Sequence, residues 1–378
     1  MQINKIKIAL RDRYFDIPFS HRMKNKIYNL VFQDSLEIAN NKTRTHRNFY
    51  VMSKKPIIIF TCEEVNELHY FSMIINKEKS ATFFKLFQWT LFDSPWVIDK
   101  VIRDYHIFRE NFPKHKVIFL LNTHEEYFSL KLKGIPCEFI NQNCLIDPKL
   151  FYPIKSVKKY DCIYNGRFEF GKRHYLIENC EKTGLISAPI LRMNSNKKSY
   201  IKELKVKIPD AKILNYNSPK NFIDFNPDEP IPQLNPIKVN EYLNLSKVGL
   251  ILSHKEGACY AAIEYLLAGL PIISSRSLGG RDVFFDDRFC RIVPSNKYAI
   301  SNAVKDLIKL NIDPNFIRSE VLKKTKPHIN RLKKLILLVL KKEGIEPSNI
   351  ESIWEKAYIN KMQIYAQPFP NSFKNAIS

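Results

Sequence analysis

The chain has 378 residues, 45% of them hydrophobic, and a formal net charge of +22 from 60 lysines and arginines against 38 acidic residues. This length and apolar content suit two folded domains and exclude a largely disordered protein. The positive surplus favours an anionic membrane face, phosphorylated substrates or nucleic acid as a partner, although simple solvation of surface lysines explains it equally well. Nucleic acid is not expected, because the basic residues are spread along the chain without a nucleic-acid-binding motif.

The first half of the chain is predicted to alternate between strands and helices. Apolar runs predict strands at Lys5–Leu10, residues 56–61 and residues 116–121, and helices are expected at Phe84–Thr90 and Asp99–Phe112. Such alternation is typical of an α/β domain, in which helices cover both faces of a parallel sheet.

A polar linker at residues 155–160 precedes a second α/β series. This predicts an N-terminal domain at 1–155, a second domain at 156–330 and C-terminal helices at 331–378 that pack back on the first domain. A cleft between two such domains is the expected ligand site, beyond the carboxyl ends of the strands. The second series has predicted strands at 161–164, 189–192, 212–214, 248–252 and 271–274, helices at 173–183, 198–207, 239–245, 258–268 and 298–309, and a proline-rich loop at 221–236.

The cysteines and apolar runs bear on metal binding and location. Seven cysteines are scattered without a Cys-x-x-Cys pair, which is typical of reduced core thiols and gives no sign of a zinc site. No apolar run reaches the roughly 18 residues of a membrane-spanning helix. Residues 1–10 alternate like a strand without a signal-peptide core. We therefore expect a cytoplasmic protein without a bound metal.

The most informative stretch is residues 253–274. A buried strand is predicted to end at Ser253, and a short loop with Glu256 and Gly257 leads into a helix whose N-terminal N–H groups could hold an anion or a hydroxyl. Glu264, eight residues after Glu256, would lie about two turns along that helix. Helical glutamates are usually solvated, but the neighbours of Glu264 in the sequence are apolar, which favours a binding role.

A second stretch places cations in a strand-to-helix turn. Gly166, Arg167 and Lys172 follow the strand predicted at 161–164. An arginine fork and a lysine ammonium at the carboxyl edge of a sheet suit a diphosphate. Taken alone, the stretch fits an ordinary turn with two surface cations better.

Together the two stretches resemble the retaining group-1 glycosyltransferases, which have the GT-B fold of two Rossmann-like domains facing each other across a cleft. The resemblance covers about residues 135–310, with the family's pattern of two glutamates eight residues apart. The matching residues are Glu256, Gly257, Glu264 and Ala268–Ile272 in one motif, and Gly166, Arg167 and Lys172 in the other.

The resemblance implies a transferase that moves a sugar from a nucleotide-diphosphate sugar to a glycan or lipid-linked acceptor, with retention and without a metal or other cofactor. Arg167 and Lys172, in the turn at Gly166, would neutralise the diphosphate and stabilise the departing nucleotide. Glu264 would bind the ribose hydroxyls.

The resemblance also implies a sugar-binding loop. Glu256, as a catalytic residue beside Arg167 and Lys172, would hold the sugar together with N–H groups near Gly257, Ala258 and Cys259. The family usually has Phe-Gly where this chain has Ala258 and Cys259. The identity of the sugar is therefore left open.

The first domain departs from the family pattern. The family's glycine-rich loop after the first strand is missing, since the first glycine is Gly134. His21, Arg22 and His124 follow predicted strands and could approach an acceptor, but we expect them to be surface residues. An alternative function is therefore a catalytically inactive GT-B-like protein that binds sugars or acts as a scaffold.

A basic amphipathic stretch lies near the C-terminal end. The apolar run Leu335–Leu340 is flanked by lysines and an arginine, which fits peripheral contact with the anionic inner face of a membrane and hence a lipid-linked acceptor. It also fits a long closing helix packed by its apolar side, and this is the interpretation we favour.

Overall fold

The computed structural model describes residues 46–75, 78–190, 195–345, 354 and 365–378. The strand predicted at Lys5–Leu10 and the residues His21 and Arg22 lie outside the described residues.

The strands of the described residues form two sheets. Their bounds are β1 His46–Lys54, β2 Ile57–Thr61, β3 Ala81–Leu86, β4 His115–Leu121, β5 Cys137–Phe139, β6 Tyr160–Asn165, β7 Thr183–Ile186, β8 Lys212–Ile213, β9 Lys220–Asn221, β10 Ser246–Ile251, β11 Ile272–Ser275, β12 Cys290–Val293 and β13 Tyr365–Pro368.

The α-helices in the same part of the chain cover these sheets and connect them. Their bounds are α1 Leu68–Ile75, α2 Pro95–Asn111, α3 His124–Lys131, α4 Ser195–Lys207, α5 Pro236–Asn244, α6 Tyr260–Leu267, α7 Lys297–Lys309, α8 Pro314–Lys342 and α9 Asn371–Ile377.

The first sheet has the order β13-β1-β2-β3-β4-β5. Strands β2 to β5 are parallel, and β1 is antiparallel to both β2 and β13. Every residue of β2 and β3 is buried, as expected for parallel strands that are covered on both faces. This sheet, with α1, α2, α3 and α9, is called the first unit below.

The second sheet has the order β12-β11-β10-β6-β7-β8-β9. It is parallel except for β9. From β6 the chain proceeds outward in one direction through β7 and β8, and from β10 it proceeds in the other through β11 and β12. The strand order therefore reverses between β6 and β10. This sheet, with α4 to α7, is called the second unit, and the predicted arrangement of two α/β units is confirmed.

Several helices begin where the sequence offers a capping side chain. Thr123, Asn235 and Asn296 each accept a backbone N–H three residues later, at 3.1, 2.8 and 2.8 Å. Asp313 accepts the N–H of Asn315 at 3.0 Å. These side chains satisfy N–H groups that have no partner within the helix, and so fix where each helix starts.

One predicted element in the sheets is wrong, and another lies partly outside the described residues. The helix expected at Phe84–Thr90 is the end of β3 followed by a loop, because the apolar run is fully buried as a strand. The strand expected at Pro189–Arg192 makes, in its described part, one bridge between Ile190 and Ile231. The sheet instead uses β7, which lies partly within a predicted helix.

The helix predicted at Arg173–Thr183 is also wrong. Only a short 3-10 helix forms there, at His174–Ile177. Arg173 precedes it with a left-handed φ of 55°, a conformation that no regular α-helix contains. Side-chain contacts of Arg173, described below, hold the chain in this turn.

Among the described residues after 313, the chain has one long helix, a strand and a short helix. Helix α8 runs through the predicted boundary at residue 330, and its apolar side is buried at Leu332, Ile336 and Val339, as the closing-helix interpretation predicts. Strand β13 then pairs with β1, and Phe373 of α9 packs edge-on against the ring of Phe49, with 5.3 Å between centroids. Residues 365–377 are therefore part of the first unit.

Candidate active site

Both sequence motifs lie at the switch point of the second sheet. The loop that carries Gly166, Arg167 and Lys172 follows β6, and the loop that carries Ser253 and Glu256 follows β10. Because β6 and β10 are parallel neighbours, the two loops leave the same edge of the sheet side by side. In open α/β sheets this is the usual place for a ligand.

Lys172 and Glu256 form a salt bridge at this edge. Glu256 is 7% exposed, and the same carboxylate oxygen accepts a hydrogen bond from Ser253 Oγ at 2.6 Å. Two of the residues predicted to be catalytic are thus in direct contact. A carboxylate with a second oxygen not used by these two donors can bind a ligand hydroxyl.

Arg281 supports this loop and was missed by the sequence analysis. It is 2% exposed, and its guanidinium donates to Ser253 O at 2.5 Å, to Ser253 Oγ at 3.2 Å and to Ser275 O. Among the described residues it forms no ion pair with a carboxylate, and its Nε is buried without a partner. Burial lowers its pKa. The only sequence signal was a charged residue between two glycines and an apolar run.

Arg173 was also missed, and its role is structural. Its Nε donates to Leu252 O at 2.6 Å, and its two terminal nitrogens donate to Ser275 Oγ at 2.6 Å and Ser295 Oγ at 3.2 Å. The turn after Lys172 is thereby tied to the ends of β10 and β11.

Gly166 and Arg167 differ in their surroundings. A Cβ on Gly166 would lie 3.1 Å from the ring of Tyr164, and the Tyr164 hydroxyl donates to Lys172 O at 2.6 Å, so the loop is closely packed. The Arg167 side chain is exposed and has no hydrogen bond or ion pair to any described residue. Its guanidinium is therefore available to a ligand.

Glu264 lies on α6, next to a separate cavity of about 270 Å³. It is 6% exposed, and Asn165 Nδ2 donates to its Oε2 at 3.3 Å. The cavity is polar at Asn165, Ser187, Gln233 and Glu264 and apolar at Phe151, Ile186, Ala188, Pro189, Leu234, Pro236 and Val239. The Glu264 carboxylate is thus not at Lys172 but at the neighbouring cavity beyond the end of β6.

Gly257 approaches the first unit. A Cβ there would lie 2.6 Å from Gln88 O and 2.8 Å from Phe87 O. Glycine is needed at this position because the backbone of the first unit approaches it closely. Ala258 and Cys259 are each 8% exposed.

The adjacent glycines Gly279 and Gly280 extend the contact between Gly257 and the first unit. The N–H of Gly280 donates to Gly257 O at 2.7 Å, and its carbonyl accepts from Asn141 Nδ2 of the first unit at 2.6 Å. Gly279, at a positive φ of 101°, has its Cα against Glu256 O, where a Cβ would lie at 1.5 Å. The loop at Gly279 and Gly280 therefore holds the Glu256 loop against the first unit.

A buried glutamate organises the facing edge of the first unit. Glu126 is fully buried and accepts hydrogen bonds from Thr90 Oγ1 at 3.0 Å, Leu91 N at 2.8 Å and Asn122 N at 3.1 Å. Burial raises its pKa, and these hydrogen bonds counteract the rise. The loops after β3 and β4 are held together by this single carboxylate.

His124 lies at a different cavity between the units, of about 580 Å³. Its ring contacts Phe139 in a tilted arrangement, with 3.9 Å between centroids, and Asp282, Lys324 and His328 line the same space. The structure therefore does not bring His124 together with Lys172, Glu256 or Glu264 around one cavity.

Among the described residues, no helix is long and apolar enough to cross a bilayer. No group of three or more histidine, cysteine, aspartate or glutamate side chains in the same residues is arranged to hold a metal ion.

Similarity to known proteins is concentrated around this site. Residues 230–325, about a quarter of the chain, match the model of the family described as Glycosyl transferases group 1. This segment contains Ser253, Glu256, Glu264 and Arg281, whereas the Gly166–Lys172 turn lies outside it. A comparison with curated protein sequences found no significant match.

The solved structures that this chain is similar to are distant in sequence. Sucrose-phosphate synthase from Thermosynechococcus elongatus is 15% identical over 70% of this chain and 68% of its own, with a TM-score of 0.48. HepE from Anabaena in complex with UDP is 13% identical over 69% of this chain and 72% of its own, with a TM-score of 0.49. By sequence, the part of the second unit that carries Glu256 and Glu264 is similar to the group 1 glycosyltransferases.

Proposed function

We propose that this protein is a glycosyltransferase that moves a sugar from a nucleotide-diphosphate sugar to an acceptor hydroxyl, with retention and without a metal. The observation that carries the proposal is the meeting of Lys172 and Glu256 at the switch point, with Glu264 at an adjoining cavity. The family-model match to residues 230–325 supports the same activity.

The cavity at Glu264 suits the nucleoside. Its apolar side chains offer contacts to a planar base, and the carboxylate of Glu264 can accept hydrogen bonds from a ribose diol. Asn165, which donates to Glu264, fixes the orientation of this carboxylate. A pocket that is mostly apolar with a few directed polar groups is typical of small-molecule sites.

The turn after β6 suits the diphosphate. Arg167 is exposed and can form a forked pair with phosphate oxygens, while Lys172 supplies a second cation. The buried Arg281 adds a positive charge behind the Glu256 loop, where the low polarity of the surroundings strengthens its field. Fixed positive charges of this kind stabilise a departing nucleotide diphosphate.

The sugar would lie at Glu256. The bond between the anomeric carbon and the diphosphate breaks as the acceptor hydroxyl bonds to that carbon, and the hydroxyl proton passes to the departing diphosphate. The one thiol in this loop is not a plausible nucleophile, because burial raises the pKa of Cys259 to about 12. In the proposal the acceptor hydroxyl attacks from the front face, as the family resemblance implies, so no protein nucleophile is needed.

Calorimetry with UDP, GDP and ADP, followed by assays with the corresponding nucleotide sugars in the presence of EDTA, tests this function. We expect one base to bind and its sugar derivative to be hydrolysed or transferred, with the α-anomer retained in NMR spectra. Nucleotide binding without turnover would favour the sugar-binding alternative. Absence of binding to all three nucleotides would refute the proposal.

A further inference from the structure

A third cavity opens directly beside the salt bridge of Lys172 and Glu256. It has a volume of about 360 Å³, near the lower end of the range of about 300–1,000 Å³ that is usual for small-molecule pockets. Both units line it: Trp89 and Asp93 come from the first unit, and Glu169, Gly171, Lys172, Ser253, His254 and Lys255 come from the second.

We propose that this cavity binds a neutral saccharide as the acceptor, with the indole of Trp89 as the surface on which a sugar ring stacks. The inference depends on the proposed function, because it names the acceptor of the same reaction.

Trp89 is the first reason. Its side chain is 61% exposed, although it follows the end of β3 by only three residues and the buried Phe87 by two. The adjoining Thr90 is held through its hydroxyl, which donates to Glu126 at 3.0 Å and accepts the N–H of Phe92 at 3.2 Å. An exposed indole next to a fixed backbone is a prepared surface for the C–H face of a sugar ring, since it offers a large apolar area with few torsions to restrict.

The charges of the cavity are the second reason. Its wall has two ammonium groups and two carboxylates, and each has a partner of opposite sign. Lys172 pairs with Glu256, Lys255 with Asp93 at 2.6 Å, and Lys197 with Glu169 at 3.1 Å. Paired charges offer hydrogen bonds to hydroxyls. The proposed function assigns Lys172 to the diphosphate of the donor, and Lys255 is paired with Asp93, so a neutral acceptor fits this wall better than a phosphorylated one.

The composition of the wall argues against a lipid. Trp89 is the one large apolar side chain among the residues that line the cavity, and the others are charged, polar or glycine. An acyl or isoprenyl chain favours a wall built from apolar side chains, whereas seven of the eight residues that line this cavity are charged, polar or glycine. A sugar needs one apolar face and several polar groups around its edge, and both are present here.

The position of the cavity is the third reason. Lys172 and Ser253 both line it, and both bond to the same carboxylate oxygen of Glu256. A saccharide stacked on Trp89 would therefore have its hydroxyls next to the residue that holds the donor sugar. Direct transfer requires the donor sugar and the acceptor saccharide to lie this close to each other.

The test compares wild-type protein with W89A and W89F. The acceptors are the methyl β-glycosides of glucose, galactose and N-acetylglucosamine, cellobiose and, as a lipid arm, farnesyl phosphate in detergent. We expect a saccharide to accelerate release of the nucleotide from its sugar derivative. In W89A the KM for that saccharide should rise about tenfold or more, with a smaller change in kcat, and W89F should recover much of the loss.

The exposed Tyr298, on α7 and outside the cavity, provides the control variant Y298A. An unchanged acceptor KM in W89A, or acceleration by farnesyl phosphate alone, would overturn the inference. Nucleotide affinity and hydrolysis without an acceptor are measured on the same wild-type preparation. If the wild-type protein neither binds the nucleotide nor hydrolyses its sugar derivative, the proposed function is contradicted. If it does both and the acceptor KM is unchanged in W89A, only the saccharide site is contradicted.

Discussion

Lys172 and Glu256 are 84 positions apart in the chain and form a salt bridge where the order of the second sheet reverses. The pair ties the loop after β6 to the loop after β10. In the proposed function, the cation for a diphosphate and the carboxylate for a sugar hydroxyl would thus be in contact with each other. Fixed charges of this kind need little rearrangement during the reaction.

Glu256→Gln should lower the rate of sugar transfer about a hundredfold or more, the typical effect of removing one electrostatic contact from an active site. The amide keeps the shape of the side chain and can still accept from Ser253 Oγ, but Lys172 loses its ion-pair partner, so the melting temperature should fall as well. Steady-state assays and calorimetric melting check both points. Glu241→Gln is the matched control, because Glu241 also pairs with a lysine but lies on the exposed side of α5. Transfer at the wild-type rate in Glu256→Gln would contradict the assigned role.

Arg167→Ala should weaken nucleotide binding about tenfold, which corresponds to roughly 1.4 kcal/mol. The side chain is exposed and has no partner among the described residues, so the folded state should be unaffected. Titration calorimetry with the nucleotide that binds best gives the dissociation constant. Arg103→Ala, which removes a half-exposed arginine on α2, serves for comparison and should leave that constant unchanged. Equal affinities in the two variants would exclude Arg167 from the diphosphate site.

Arg281→Lys should reduce both stability and turnover. A single ammonium group cannot reach Ser253 and Ser275 together as the guanidinium does, and each lost hydrogen bond to a charged group costs about 1.5–3 kcal/mol. Chemical denaturation measures the free energy of unfolding. The exposed Arg276 gives the control Arg276→Lys, and an equally small effect in both proteins would show that the buried contacts of Arg281 matter little.

Gly257→Ala should destabilise the contact between the two units. The added Cβ would meet the backbone of Gln88 and Phe87, and overpacking of this kind costs about 1–3 kcal/mol. The melting temperature and the rate of sugar transfer should therefore both be lower than in the wild type. Gly171→Ala is the control for stability, because a Cβ there would meet only the ring of His254, at 3.7 Å. If both alanine variants melt like the wild type, the close contact at Gly257 is not required.

Stability should fall as the pH is lowered below 6.5. Burial lowers the pKa of His328 from 6.5 to about 4, with a further lowering by Arg331 and His124, and burial lowers the pKa of His174 to about 3. The unfolded chain therefore binds protons before the folded protein does. The stabilising contribution of the neutral imidazoles is complete above pH 6.5 and is lost progressively down to about pH 4 for His328 and pH 3 for His174.

His328→Gln tests the part of this dependence that belongs to one residue. His328 Nδ1 accepts the N–H of Asn141 at 3.1 Å, a hydrogen bond that the oxygen of glutamine can replace. The melting temperature of the variant should fall less between pH 7 and pH 5 than that of the wild type. The exposed His106, changed to Gln, is the comparison. If the melting temperature falls equally with pH in the wild type and in His328→Gln, the prediction is contradicted.

The sequence was sufficient to predict those strands that a local apolar pattern determines. Apolar runs predicted β2, β4 and β10, and the family resemblance led us to expect that the motifs after β6 and β10 serve one ligand. The order of these strands is not visible in the sequence, and the structure makes them neighbours. The position of Arg281 was not predictable, because its burial depends on contacts with the ends of β10 and β11. The helix expected after Lys172 failed for a similar reason, since the hydrogen bonds of Arg173 to Leu252 and Ser275 hold a turn that local propensity does not favour.

Strand β13 has a consequence for the order of synthesis. Gln367 Nε2 donates to Phe49 O across 318 positions of chain, so the edge of the first sheet is completed only after the ribosome has made every strand of the second. The second sheet, whose strands all lie between Tyr160 and Val293, can assemble earlier. While the second sheet folds, the side of β1 that later pairs with β13 would still lack this partner. Strand edges of that kind invite misassembly.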